Sequence, residues 1–255
     1  MEPKDYFRAY RRMIATADDA VVNWWYSGWT FVQITGQPEI PLMQVTAIMT
    51  YRTETLGADA FRVHWSEIGA FTDPATGEAP NEWCNPLTGA LVHPPKSFVE
   101  GPGTLTVRAT PHGVQLEIVQ PHATVREASV SFDTADGRLK VTQRERKLRG
   151  FPAADGRLPP PGSASGFEGM TELCFFSDVA RLAQPDHQQL PVQATYSFVL
   201  MGLVPWMGFG NLTGKTVTRG LISRAQREHQ LDVAAWARLA ALFPDEIVNP
   251  MAARR

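Results

Sequence analysis

The chain has little charge and little cysteine, and both shortages exclude classes of protein. Charged residues make up 20% of the 255 residues, and the formal net charge is -2. Such a balance provides no broad basic surface to attract nucleic acid or an anionic membrane. No apolar run reaches the roughly 18 residues that a transmembrane helix needs. We therefore expect no nucleic-acid partner and no membrane partner.

The two cysteines, Cys84 and Cys174, follow no spacing that is typical of a zinc site. One disulfide between them is conceivable, but two buried thiols are the simpler interpretation. Residues 1–20 contain several basic side chains but no apolar stretch of the kind found in a secretory signal. These observations favour a cytoplasmic protein.

Motifs that hold cofactors are also absent from the sequence. Neither GxGxxG after a strand nor GxxxxGK[ST] occurs, so no nucleotide cradle is recognisable. No GxSxG elbow occurs, which excludes an α/β-hydrolase. The six histidines form no HxH or HExxH pattern. We therefore expect neither a cofactor nor a metal.

Most of the chain consists of short β-branched and aromatic runs separated by turn signals. Residues 21–34 are predicted to form a hairpin of two strands, broken at Ser27-Gly28. Ala135-Asp136-Gly137 is a second hairpin signal. Further strands are predicted at 40–53, 61–71, 105–109, 114–119, 125–133, 139–148, 168–176, 192–203 and 216–221.

Helical spacing is confined to the ends and one short segment. Phe7, Tyr10 and Ile14 indicate an amphipathic helix near the start, packed on the body of the protein. A second helix is predicted at 232–243, capped by Asp232, with an apolar stripe and a stop at Pro244. A third helix could begin at Ser177. The stripe comprises Val233, Trp236, Leu239, Ala240 and Phe243.

Because the strands do not alternate with helices, a parallel α/β fold is disfavoured. The predicted fold is mainly β: an antiparallel curved sheet or barrel, calycin-like or lipocalin-like, with two or three peripheral helices. We predict one domain over residues 1–255. Residues 151–166, rich in Pro and Gly, are predicted to be a mobile loop within it.

Candidate catalytic residues lie on the predicted strand 61–71. Strict alternation puts His64 and Glu67 on opposite faces, so one of them points inward. An inward Glu67 beside a cation such as Arg62 or Arg144 could act as base or acid with a tuned pKa. The alternative, that both residues lie on a solvated face or make a structural hydrogen bond, is favoured slightly over it.

The segment Trp83-Cys84-Asn85-Pro86-Leu87-Thr88-Gly89 is rich in turn signals. Structurally it is a tight turn. Functionally, Trp83 could form a pocket wall and Asn85 could donate to a substrate oxygen. His93 precedes two prolines, and a histidine on a stiff loop is a candidate acid or base. An exposed histidine without a role is an equal alternative.

Further candidates come from aromatic and isolated polar residues. Trp206 and Met207, flanked by glycines, suit a planar ligand, although core packing explains them equally well. Tyr26 could donate to a developing oxyanion. Glu172 interrupts an apolar stretch, which marks a paired or functional residue. Arg144 is a candidate anion stabiliser, although its strand, QRERK, is more typical of a solvated face.

Several of these motifs together resemble the domain-of-unknown-function family 1838 (DUF1838). They are Trp25-Tyr26-Ser27-Gly28, Phe71-Thr72-Asp73-Pro74 with Thr76-Gly77, Trp83 to Gly89, His93, Glu172 in ELCFF, and Pro205-Trp206-Met207-Gly208 followed by Gly214. The resemblance implies a cofactor-free enzyme of aromatic or secondary metabolism. It also suggests a lyase that removes formaldehyde from lignin-derived aryl dimers by a retro-aldol-like step. The stretch after His93 departs from the family pattern.

Three functions follow from these patterns. The first is a cofactor-independent lyase or isomerase that acts on a small apolar or aromatic molecule. Its catalytic residues would be Glu67, His64, His93, Tyr26 and Arg144, and its substrate-binding residues Trp25, Trp83, Asn85, Glu172, Trp206 and Met207. The second is a non-catalytic ligand-binding barrel. The third is an interaction protein whose seven Trp and 13 Phe cover a homo-oligomer interface.

Overall fold

The computed structural model describes residues 3–15, 20–95, 97–121, 123–150, 166–183, 190, 192–225 and 233–243. Nearly all of the predicted 151–166 loop, the Asp232 cap, Pro244 and the side chain of Trp236 lie outside these residues. The helices are α1 (Pro3–Ile14), α2 (Val179–Ala183) and α3 (Val233–Leu242), and Pro205–Met207 forms a single 3-10 turn. Of the described helices, none combines the length and the apolar character that spanning a bilayer requires.

The strands of the described residues account for most of the fold. They are β1 (Val21–Ile34), β2 (Glu39–Gly57), β3 (Ala60–Thr72), β4 (Trp83–Cys84), β5 (Leu91–Val92), β6 (Phe98–Thr110), β7 (Gly113–Val119), β8 (Ala123–Ala135), β9 (Arg138–Arg149), β10 (Phe167–Asp178), β11 (Gln193–Leu200) and β12 (Gly214–Ala225).

Ten of these strands form one antiparallel sheet in the order β7-β6-β3-β2-β1-β12-β11-β10-β9-β8. The two edge strands, β7 and β8, contact each other, so the sheet curls into a nearly closed barrel. The remaining pair, β4 and β5, forms a small separate hairpin. The predicted mainly-β fold with an antiparallel barrel and three helices is confirmed.

Residues 21–34 form one continuous strand, so the predicted hairpin at Ser27-Gly28 is wrong. The glycine serves close packing rather than a turn. A Cβ at Gly28 would lie 2.3 Å from the carbonyl oxygen of Arg219 and 2.4 Å from the hydroxyl of Tyr26. Gly28 also pairs with Gly220 on β12. These two glycines leave the space in which the Tyr26 ring lies against the barrel wall.

Helix α1 packs into one end of the barrel, as its apolar spacing predicts. Phe7, Tyr10, Met13 and Ile14 are buried in the main core cluster, which includes the inward residues of the first part of β1. Arg224 on β12 donates to the carbonyl oxygens of the last turn of this helix, where a cation is favourable. The helix therefore closes this end of the barrel.

Helix α3 covers part of the outer face of the sheet. Leu239 and Phe243 are buried there against Trp25 of β1 and Ile68 of β3. Trp25 therefore faces away from the interior, because successive residues of a strand point to opposite faces and Trp24 is buried inside.

Two smaller predictions have different outcomes. The hairpin turn at Asp136-Gly137 is confirmed, and both residues have positive φ, as a type I′ turn requires. Asp178 rather than Ser177 accepts the hydrogen bond of the first turn of α2, from Ala180 N at 2.8 Å.

The cysteines are both free, but only Cys174 is buried. The prediction of two buried thiols is therefore wrong for Cys84. Trp83 takes the buried position of the two-residue strand β4, and alternation turns the next side chain, that of Cys84, to solvent.

Candidate functional site

A cavity of about 300 Å³ lies inside the barrel. Along β1, Val22 and Trp24 pack with α1, whereas Tyr26 and Thr30, further along the strand, line the cavity. The cavity therefore lies beyond the end that α1 closes. Its volume is at the lower end of the range that is typical of small-molecule sites.

Aromatic rings form the walls of the cavity. These rings belong to Trp65, Phe71, Phe98, Phe198 and Trp206. Phe71 stands at the centre of the row, with its ring centroid 5.4 Å from that of Phe98 and 5.3 Å from that of Trp206. Tilted contacts at these distances are favourable beyond the apolar area that they bury. The walls suit an aromatic or otherwise apolar ligand.

Glycines on neighbouring strands let two of these rings lie close to the sheet. Trp65 of β3 faces Gly103 of β6, and Phe98 of β6 faces Gly69 of β3. A Cβ at Gly103 would lie 2.4 Å from the Trp65 ring, and one at Gly69 would lie 2.3 Å from the Phe98 ring. The small residues thereby keep the space in front of the rings open.

Glu67 is the carboxylate that the alternation of β3 turns inward. Phe61, Val63, Trp65 and Glu67 share one face of the strand, with the first two in the core and the last two lining the cavity. Burial raises the pKa of Glu67 to about 7, against the opposing effect of Arg149 and Lys147. A carboxyl group with this pKa exchanges a proton near neutral pH.

Glu67 lies opposite a second carboxylate. Its partner in the ladder on β6 is Glu100, which also lines the cavity. The register shifts just before this pair, where Gly101 has a φ of 96° and an added Cβ would lie 2.8 Å from the Trp65 carbonyl oxygen. Only glycine adopts such a backbone without strain. This irregularity lets both Glu67 and Glu100 reach the cavity.

Glu100 forms an ion pair with Arg149, the last residue of β9. Strands β6 and β9 are each second from an edge of the sheet, so this pair spans the opening between the two edges. Burial lowers the pKa of Arg149, while Tyr196 and Glu67 act in the opposite direction. Arg149 thus forms an ion pair with Glu100 and also interacts electrostatically with Glu67.

Two tyrosines also belong to the polar part of the lining. The rings of Tyr26 and Tyr196 meet edge to face, with centroids 5.2 Å apart. Burial raises the pKa of both phenols well above the usual value, and Glu67 raises each further. The Tyr26 hydroxyl is buried and has no hydrogen-bond partner among the described residues. A buried hydroxyl normally has a partner, so Tyr26 is an unsatisfied donor beside the cavity.

Of the sequence-predicted residues, the structure brings four to the cavity lining: Tyr26, Glu67, Trp206 and Met207. His64 is on the outer face, with its Nε2 3.0 Å from a carboxylate oxygen of Glu54. Arg144 and Glu172 pair with each other on the outer face of β9 and β10, at 2.7 Å. His64, Arg144 and Glu172 therefore lie outside the barrel and do not line the cavity.

The turn after β4 lies beside the cavity and supports its lining. Asn85 is fully buried, and its Nδ2 donates to the carbonyl oxygen of Met207 at 2.7 Å. Its Oδ1 accepts from the backbone N–H groups of Leu87 and Thr88. The amide therefore fixes the turn and the Trp206-Met207 segment, and a direct bond to a substrate does not follow from this geometry.

Trp83 and His93 also lie outside the described lining. Trp83 is buried in a second core cluster with Met207 and Phe209. His93 is exposed, and its Nδ1 lies 3.1 Å from the carbonyl oxygen of Asn81. Trp83 packs behind the wall with Met207, whereas His93 is not among the described lining residues.

A polar row on β9 is the main feature that sequence reasoning missed. Arg144 and Arg146 do face solvent, but the alternate residues Gln143, Glu145 and Lys147 are buried. Lys147 Nζ lies 3.3 Å from a carboxylate oxygen of Glu145, and Gln143 Nε2 donates to the other oxygen at 2.7 Å. The signal was present, since Leu139 and Val141 begin the same inward face two residues apart.

A metal site does not emerge from the described part of the chain: no three His, Cys, Asp or Glu side chains there come together as ligands would. No protein-family model matches this chain, and no curated protein sequence matches it significantly. The resemblance to family 1838 therefore stays a prediction.

Proposed function

We propose that this protein is a cofactor-independent lyase or isomerase that acts on a small apolar or aromatic molecule by general acid–base catalysis. The observation that carries the proposal is Glu67, a carboxyl group with a pKa of about 7 in an aromatic-walled cavity. A general acid–base group is most effective when its pKa is near the working pH. Perturbed carboxyl groups in clefts are concentrated at functional sites.

The reaction that we favour is a retro-aldol-like loss of formaldehyde. The Glu67 carboxylate would take the proton of a primary hydroxyl of the substrate. As the carbonyl of formaldehyde forms, the adjacent carbon–carbon bond breaks and its electron pair passes to an aryl-stabilised carbon. Protonated Glu67 then returns the proton to that carbon. The step balances without an oxidant, a reductant or a cofactor.

Tyr26 would stabilise the negative charge that develops during this step. Its raised pKa keeps the phenol protonated, so that it donates and does not act as a base. Its hydroxyl has no other hydrogen-bond partner among the described residues. Donors fixed in advance towards a developing anion are among the largest contributions to catalysis. Lignin-derived aryl dimers are the substrates that the family resemblance suggests.

A non-catalytic ligand-binding barrel is the alternative. It is favoured by the lining, most of which is apolar, and by the helix that closes one end of the barrel. Both proposals predict a ligand in the same cavity. Only the enzyme proposal predicts that a chemical change depends on Glu67.

A turnover screen tests the proposal. Purified protein is incubated with aryl dimers that carry a primary alcohol and with simpler aromatic alcohols, and released formaldehyde and aryl products are measured. Turnover that His93→Ala retains and Glu67→Gln loses supports the proposed site. Binding of these compounds without any product supports the carrier instead. A cytoplasmic location and a homo-oligomer remain further proposals.

A further inference from the structure

The charges of the cavity lining carry an inference about the ligand. Among the described lining residues, the charged side chains are Glu67, Glu100 and Arg149. Arg149 is paired with Glu100, and both side chains are only about a quarter exposed, at 23% and 24%. The guanidinium also lies over the Phe198 ring, 5.6 Å from its centroid. Arg149 therefore contacts both the Glu100 carboxylate and the Phe198 ring.

An anionic ligand would find no compensating charge in such a lining. It would have to displace Glu100 from Arg149, and Glu100 would then lose its partner in a partly desolvated place. Leaving a charge unpaired in such a place is costly. The ligand would also face Glu67, which lies directly across the ladder from Glu100. A carboxylate ligand is therefore disfavoured.

A cationic ligand is disfavoured for the opposite reason. Arg149 and Lys147 both act electrostatically on Glu67. Lys147 lies behind the wall, with its Nζ 5.7 Å from the centroid of the Phe198 ring, which lines the cavity. An ammonium group gains little at Glu67, because Arg149 and Lys147 already act on that charge, and it loses its own hydration on entering a mostly apolar cavity.

Most of the other polar side chains of the described lining carry hydroxyl groups, and Gln120 adds an amide. The Tyr26 hydroxyl has no partner among the described residues. The hydroxyl oxygens of Thr30 and Thr218 lie 3.3 Å apart on neighbouring strands, and both residues line the cavity. Hydroxyl groups donate and accept, so this lining matches a ligand hydroxyl well.

We propose that the cavity takes an uncharged aromatic alcohol or phenol and excludes the corresponding carboxylate, and that the Glu100–Arg149 pair sets this preference. The inference deepens the proposed function, because it names the substrate class of the same site. It concerns binding alone, so it can fail or hold independently of any turnover.

The test is calorimetric titration with three probes of one skeleton: 2-phenylethanol, phenylacetate and 2-phenylethylammonium, at about pH 8, where the last two are charged. The wild-type protein is expected to bind the alcohol at least about tenfold more tightly than either ion. Equal or tighter binding of either ion, or no binding of the alcohol, overturns the inferred ligand class.

Glu100→Gln tests the origin of the preference. It leaves Arg149 without the carboxylate of Glu100, so phenylacetate binding should improve by about tenfold while 2-phenylethanol binding changes little. The matched control is Glu168→Gln, which removes the partner of Arg146 on the outer face and should leave the ranking unchanged. Glu100→Asp keeps the charge and should keep the wild-type ranking.

Two results would overturn the proposed role of Glu100 in excluding the carboxylate ligand. One is a Glu100→Gln variant that binds the alcohol normally and still excludes phenylacetate. The other is a variant that does not fold, since Glu100 would then be a structural residue, and the wild-type ranking alone would decide the ligand class. If the alcohol binds as expected but no compound in the turnover screen reacts, the inference holds and the enzyme proposal fails.

Discussion

Burial raises the pKa of Tyr26, and the charge of Glu67 raises it further, although the two residues lie on strands that β2 separates in the sheet. This coupling acts through the inside of the barrel, where both side chains line one cavity. The consequence is a division of roles. Glu67 titrates near neutral pH, whereas the Tyr26 phenol stays protonated and can donate.

The first prediction concerns the proposed base. Glu67→Gln keeps the size of the side chain but removes its proton exchange, so turnover of any substrate found in the screen should fall by about 10²- to 10⁴-fold. The measurement is the initial rate at saturating substrate. Glu54→Gln is the matched control. Glu54 is an exposed carboxylate on β2, the strand that pairs with β3, and it contacts His64. An unchanged rate in Glu67→Gln would remove Glu67 from the mechanism.

The second prediction separates stability from activity at Tyr26. Tyr26→Phe removes a buried hydroxyl that has no partner among the described residues, so the free energy of unfolding should rise by about 1 kcal/mol or stay unchanged. The turnover of a substrate should nevertheless fall, because the donor to the developing anion is lost. Urea unfolding and initial rates measure the two effects. A Tyr26→Phe variant that is less stable would contradict the stability prediction, and one that is fully active would contradict the proposed role of the hydroxyl in turnover.

The third prediction is the dependence of stability on pH. The folded pKa of Glu67, about 7, exceeds its usual value of 4.5, so the folded state binds the proton more tightly than the unfolded state does. The stabilisation that the protonated Glu67 gives the folded state is therefore complete below about pH 4.5. It is lost as the pH rises towards and through 7. Relative to Glu67→Gln, the wild-type free energy of unfolding should fall by up to about 3 kcal/mol over this interval. Parallel stability curves for the two proteins would show that the pKa is not raised.

The fourth prediction concerns the buried ion pair on β9. Lys147 and Glu145 are each only 7% exposed, so removing one charge leaves the other unpaired in the interior. Lys147→Met should lower the free energy of unfolding by about 3–5 kcal/mol. The double variant with Glu145→Gln should recover a large part of that loss. A double variant that is less stable than Lys147→Met alone would contradict this interpretation of the pair.

Local patterns predicted the barrel and four residues of the cavity lining, namely Tyr26, Glu67, Trp206 and Met207. Alternation along β3 correctly put His64 and Glu67 on opposite faces, and the spacing of Phe7, Tyr10 and Ile14 predicted α1. The same period would have turned Trp25 outward, opposite to Trp24. The predicted turn at Ser27-Gly28 is wrong because the strand continues there and Gly28 provides space for the Tyr26 ring.

The Glu100–Arg149 pair of the cavity lining depends on long-range pairing. Glu100 lies in a segment without a clear strand pattern, and Arg149 follows the last residue of the predicted strand 139–148. Their meeting requires the sheet to curl until β6 and β9 approach each other across its opening. Closure and register are properties of the whole sheet, so no local motif reports them.

The proposed mechanism depends above all on the pKa of Glu67. Carbon-detected NMR of the glutamate carboxyl carbons, with Glu67→Gln to assign the resonance, measures this pKa in the intact protein. The account predicts a midpoint near pH 7 for the resonance that the variant lacks. A midpoint near the usual value of 4.5 would mean that the cavity does not perturb Glu67, and the proposed acid–base role would be contradicted.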